Sequence, residues 1–117
     1  MRKVLLVEDE YIIAMSISEM LSDMSLVVTG IAASGAEAIS MIEVDRPDFI
    51  ISDITIEGEI DGIDLAGIVH EKYRIPIIFL TGHMDERTIG RILQVPHHCV
   101  LNKPIDEQML GETLNSI

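Results

Sequence analysis

Acidic, hydroxyl and ammonium groups stand directly after apolar runs at four places in this sequence. Glu8-Asp9-Glu10 follows residues 4–7, Asp53 follows 49–52, Thr81-Gly82 follows 77–80, and Asn102-Lys103-Pro104 follows 100–101. Carboxylates brought within ~4 Å of one another would repel by roughly 4 kcal/mol per pair at an effective dielectric of about 20, enough to protonate one or to require a cation. A hard divalent ion answers that need. Magnesium takes oxygen ligands and keeps several waters, so one or two carboxylates, a backbone carbonyl and an incoming phosphate oxygen would complete its octahedron. A carboxylate beside such an ion can attack phosphorus, because the metal and a nearby ammonium neutralise charge on the transferring group. Asp53 is the candidate nucleophile, with Asp9 and Glu8 approaching from a neighbouring strand. Lys103 supplies the fixed positive charge, and Thr81 a hydroxyl for a phosphoryl oxygen.

These groups can meet only if the runs before them are strands of one sheet. The runs are short, rich in Val and Ile and apolar throughout, as parallel strands covered on both faces are. A fifth covers residues 26–31. Between them lie segments with helical spacing: Ile12, Ile13, Met15, Ile17, Met20 and Leu21 form one stripe, and Ala36, Ala38, Ile39, Met41 and Ile42 another. Ser34 and Glu37 form a capping box that starts the second helix. Leu65, Ile68 and Val69 mark a third helix, Ile89, Ile92 and Leu93 a fourth, and Met109, Leu110 and Leu114 a fifth. The order is β-α five times over, an α/β chain with a doubly wound, five-stranded parallel sheet. Ligands of such sheets sit beyond the carboxyl ends of the strands, where the acids, Thr81 and Lys103 stand.

With 117 residues, the chain is expected to form one domain over 1–117, and its 48% hydrophobic content suffices for a core. Its single cysteine, Cys99, cannot pair internally, which points to a reducing compartment. The four apolar residues near the N-terminus are too few for a signal-peptide core. No apolar run approaches the roughly 20 residues that span a bilayer, so the expectation is a cytoplasmic protein without a membrane partner. Twenty acidic against eight basic residues leave a net charge of −12, which argues against nucleic-acid binding by this chain.

Glu8-Asp9, Asp53, Asp61-Gly62, Thr81-Gly82 and Lys103-Pro104, taken in this order, resemble the pattern of the CheY-like receiver domains of two-component response regulators, and the resemblance runs the length of the chain. It implies a flavodoxin-like sheet of order 2-1-3-4-5. It also implies transfer of a phosphoryl group from a phosphohistidine, on a sensor histidine kinase or phosphotransfer protein, to Asp53, followed by slow hydrolysis. The chain would then be a regulatory phosphoacceptor rather than an enzyme. Magnesium would be held by Asp9, Asp53 and the backbone carbonyl of Thr55, with Glu8 reaching it directly or through water. Thr81 would swing inward on phosphorylation, Lys103 would pair with the phosphoryl group, and the Lys103-Pro104 bond would be cis. The face made by the fourth helix, fifth strand and fifth helix would carry the change to an effector domain, a downstream protein or a second copy of the chain.

The sequence departs from the family pattern in three places. Val100 stands where an aromatic side chain usually reports the switch state. The loop from Thr55 to Gly62 is one residue longer before Asp-Gly and has Glu57 in place of a common proline. Thr55 and His83 flank the expected path of the hydrolytic water. These departures keep open a second reading, a receiver fold that acts as an interaction module without phosphorylation. A haloacid-dehalogenase-type phosphatase is rejected, since it would need Asp-x-Asp where Glu8-Asp9-Glu10 stands. A flavin or nucleotide binder would need glycines and free amides there. His97, His98 and Cys99 are adjacent and cannot all face one ion, so they read as loop and strand start. Thr81 taken singly is more often a helix-side cap, since Asp85 and Glu86 follow and a helix begins there; Met84 could belong to a partner surface, and Tyr11 opens the first helix with its hydroxyl in water.

Overall fold

Five stretches whose backbones pair in parallel form one sheet: β1 (Lys3–Val7), β2 (Val27–Ala32), β3 (Phe49–Asp53), β4 (Ile77–Thr81) and β5 (Cys99–Asn102), in the order β2-β1-β3-β4-β5. The computed structural model describes residues 1–82 and 84–117; the expectation for His83 lies outside the described residues. β3, β4 and β5 run past their last apolar residues because pairing is a backbone property: Asp53 stays opposite Leu80, and Thr81 opposite Asn102. This extension places the polar side chains in the rigid sheet rather than in loops.

Every residue of β3 and β4 is buried, which explains why these runs are apolar without alternation. The alternation reappears in which face each side chain takes. Val4, Leu6, Phe49, Ile51, Ile78, Leu80 and Leu101 pack with α1 (Tyr11–Asp23) and α5 (Glu107–Asn115). Leu5, Val7, Ile50, Ile77 and Phe79 pack with α2 (Gly35–Val44), α3 (Gly62–Tyr73) and α4 (Glu86–Ile92), where Val100 joins them. No helix among the described residues is long and apolar enough to cross a membrane.

The helices follow the expected order, but their buried rows are narrower than their apolar stripes. In α1 the buried residues are Ala14, Ile17 and Leu21, while Ile12 is 83% exposed and Met15 is also exposed. Ala36 of α2 and Ile89 of α4 face solvent too, and Leu93, placed in the fourth helix by the sequence, is its C-cap and 77% exposed. A helix lying on a flat sheet covers one row of contacts, so the flanks of a broad stripe stay outside.

Ser34 caps α2 by accepting from the Glu37 amide at 3.2 Å, but the Glu37 carboxylate takes the amide of Ala33 rather than that of Ser34. A complete capping box stands instead at the start of α3. The Asp61 carboxylate accepts from the Ile63 and Asp64 amides, and the Asp64 carboxylate accepts from the Asp61 amide. Asp85, not Thr81, caps α4.

Candidate functional site

Side-chain alternation converges the site. Glu8 continues the row Val4, Leu6, and Asp53 continues the row Phe49, Ile51, both rows facing α1 and α5. β1 and β3 are hydrogen-bonded neighbours, so the two carboxylates emerge side by side. Lys103 stands just past the end of β5, two residues after Leu101, and reaches across the end of β4. Its Nζ donates to Glu8 Oε1 and to Asp53 Oδ2, each at 2.7 Å. The backbone holds it there, since the Lys103 amide donates to the Thr81 carbonyl at 2.8 Å; the Lys103-Pro104 bond is cis, as the resemblance implies. Thr81 is buried at the end of β4, between Asp53 and Lys103 in the sheet order.

Glu8, Asp9 and Asp53 each offer a carboxylate oxygen, and these oxygens all lie within 4.8 Å of one another. One ammonium against three carboxylates leaves an excess of negative charge in a partly dry place: the side chains of Glu8, Asp53 and Lys103 are 0%, 12% and 19% exposed. Burial pushes the Glu8 carboxyl above its usual range, and its bonds to Lys103 and to the Glu10 amide only partly reverse this. Burial acts against the charge of Lys103 too, yet its bonds to Asp53 and Glu8 more than offset that and raise its pKa. An all-oxygen set crowded this closely fits a small, hard divalent cation.

The loop after β3 is held firmly despite its length. The Thr55 amide donates to Asp53 Oδ1 at 3.2 Å, Ile54 and Ile56 are buried, and Glu57 bridges to Ser34. Gly58 turns the chain at φ +100°, a conformation that side chains disfavour. The loop ends where the Gly62 amide donates to the Ile54 carbonyl at 2.8 Å. A Cβ on Gly62 would lie 2.1 Å from the Asp53 carbonyl oxygen, so only glycine lets α3 begin this close to the strand. Gly62→Ala is therefore expected to destabilise the fold by about 1–3 kcal/mol through overpacking, read by urea unfolding. An unchanged midpoint would show that the Asp53 backbone yields.

The structure brings Glu8, Asp9, Asp53, Thr81 and Lys103 to one rim, with Thr55 beside them. It does not gather His97, His98 and Cys99. His97 bonds the Val95 carbonyl and packs against Phe79, His98 bonds Ser116, and Cys99 opens β5 as a half-buried thiol whose pKa burial raises. Tyr11 opens α1 and is exposed, as its position predicts. Sequence reasoning missed Arg91 of α4, whose Nη1 and Nη2 donate to Asp61 Oδ2 and Oδ1 at 2.6 and 3.1 Å, Nη2 also reaching Asp64 Oδ1 at 3.2 Å. The Asp61-x-x-Asp64 spacing signals the cap; nothing local signals its cation.

A doubly wound sheet of order 2-1-3-4-5 with this acidic rim and lysine defines a receiver domain, and residues 4–115 match the model of the response regulator receiver domain: the chain belongs to that family. Among relatives, it is 34% identical over 103 residues to the transcriptional regulatory protein PdtaR of Mycobacterium tuberculosis, covering 88% of this chain and 50% of that protein. It is 28% identical over 89 residues to the phyllosphere-induced regulator PhyR of Methylorubrum extorquens, covering 75% and 33%. The chain thus spans about half, or less, of these relatives. Among solved structures it resembles the signal receiver domain of a modulated diguanylate cyclase from Desulfovibrio desulfuricans, with TM-score 0.94 and 29% identity over 99% of this chain and 92% of that one. It also resembles the Vibrio cholerae chemotaxis protein CheY4, with TM-score 0.88 and 30% identity over 100% and 98%.

Proposed function

We propose that residues 1–117 act as one phosphoryl-accepting switch, with Asp53 as acceptor and magnesium as cofactor. The observation that carries this is the meeting of three carboxylates within 4.8 Å, two of them bonded to one lysine, at the carboxyl edge of the sheet. An Asp53 oxygen attacks phosphorus, forming the O–P bond as the bond to the donor's phosphohistidine nitrogen breaks; the freed histidine takes a proton from water. Lys103 leaves its Asp53 contact to pair with the arriving phosphoryl oxygens, and Thr81 donates its hydroxyl to another of them. Asp9, Asp53 and the Thr55 carbonyl, with Glu8 directly or through water, would hold the magnesium ion, which when bound neutralises charge on the transferring group. Thr55 also flanks the path by which water later hydrolyses the acyl phosphate.

The donor is a sensor histidine kinase or phosphotransfer protein in a cytoplasmic pathway, and the recipient of the signal is an effector domain, a downstream protein or a second copy of the chain. The face of α4, β5 and α5 carries that signal. With acetyl phosphate and magnesium, intact mass should show one added phosphoryl group, and chelating the metal should abolish it. Val100 favours a second reading, an interaction module that needs no phosphorylation, because a half-buried β-branched side chain packed against the core cannot swing as a ring does. Acetyl phosphate separates the two: an unmodified mass at saturating magnesium leaves only the interaction module.

A further inference from the structure

α4 is held to the rest of the molecule sparsely. Of its residues only Ile92 is buried, Ile89 is exposed, and Gly90 lies in its middle with open space beside it. A groove of about 420 Å³ is lined by Ile63 and Gly67 of α3, by Arg91 of α4 and by Val95 just beyond it. Few buried contacts and a mid-helix glycine make such a segment easy to displace. Arg91, which lines the groove with Asp64, makes a fork that is two-toothed on Asp61 and touches Asp64.

Asp61 cannot follow Arg91 freely. Its carboxylate is committed to the Ile63 and Asp64 amides, and Gly62 beside it is wedged against the Asp53 carbonyl and bonded to that of Ile54. Burial pushes the Asp61 carboxyl up, but Arg91 and the Asp64 amide more than offset this and hold it below its usual range, so the pair stays charged near neutrality. A chain of direct contacts therefore runs from the Asp53 backbone through Gly62 and Asp61 to Arg91 and α4, and none of its links needs an aromatic ring at position 100. A bidentate guanidinium–carboxylate pair is directional, so it holds α4 in one arrangement and opens discretely.

We propose that the Arg91 fork onto Asp61 and Asp64 is a latch that holds α4 in its unmodified position, and that modification of Asp53 must shift it to change the α4 surface. The second half rests on the reading of Asp53 as phosphoacceptor; the first does not. Two variants separate the latch from simple loss of stability. Arg91→Gln removes the cation, and Asp61→Asn removes the charge while keeping a good N-cap.

Amide hydrogen exchange of the metal-free chain is expected to be about tenfold faster in α4 for both variants, with β3 unchanged. Magnesium and beryllofluoride should then displace the α4 amide resonances less in the variants than in the parent, since part of the shift has already occurred. Exchange in α4 within twofold of the parent in both variants, or faster in only one, overturns the latch. If the parent binds no beryllofluoride, the phosphoacceptor reading fails, and the metal-free exchange still decides whether Arg91 holds α4.

Discussion

Asp53→Asn is expected to lower phosphoryl uptake from acetyl phosphate by at least about 10³-fold, because an amide oxygen is a poor nucleophile and its removal takes one anionic ligand from the cation site. The fold should tolerate the change. Asparagine keeps one oxygen, enough for either the Thr55 amide, now on Oδ1, or Lys103, now on Oδ2, and this lost bond is set against a local balance that goes from three carboxylates against one ammonium to two against one. Less crowding of like charge should leave the variant as stable as the parent, or more stable by about 1 kcal/mol, in metal-free buffer. Intact mass reads the first effect and urea unfolding the second. A variant that acquires the group as fast as the parent would place the acceptor elsewhere. One that unfolds would show that Asp53 holds the sheet edge together.

Lys103→Met separates structure from chemistry at the same site. The parent ammonium bonds two acids whose side chains are 0% and 12% exposed, and methionine leaves both without a counter-ion. Removing one partner of a buried ionic group typically costs about 3–5 kcal/mol, and a loss of that order at neutral pH is expected in urea unfolding without metal. Adding magnesium should restore part of it, since the cation replaces the lost charge. Acidification should narrow the gap. Burial raises the Glu8 carboxyl above its ordinary 4.5, so its contribution to stability is present below that value and is lost as pH rises through the folded one. Without Lys103 the folded value rises further, and the variant regains ground on the parent as pH falls through that range. A deficit that ignores both magnesium and pH would mean that the lysine stem, not its charge, holds the site.

Much of this site was legible because its members stand at the ends of apolar runs. Glu8, Asp53, Thr81 and Lys103 were placed by that position, and the sheet brings them together. Ile12, Met15 and Leu93 lie on the apolar stripes the sequence marks, but how far they are buried was not legible there. A 3.6-residue period marks a stripe but not how much of it the sheet will cover, and α1 buries only its central row. The Arg91–Asp61 pair was invisible because its partners lie 30 positions apart, and a surface arginine looks the same whether or not an acid faces it.

From the sequence alone came the alternation of buried strands with amphipathic helices, and with it the rim to which the polar residues after each run belong. Period and polarity are properties of neighbours along the chain. What only the tertiary structure decided is which of those groups touch: Lys103 bonding Glu8 and Asp53 across 95 and 50 positions, Gly62 wedged on the Asp53 carbonyl, and Arg91 of α4 forked on Asp61. Those contacts depend on the strand order and on distances of a few ångströms across crossovers, which no local pattern encodes.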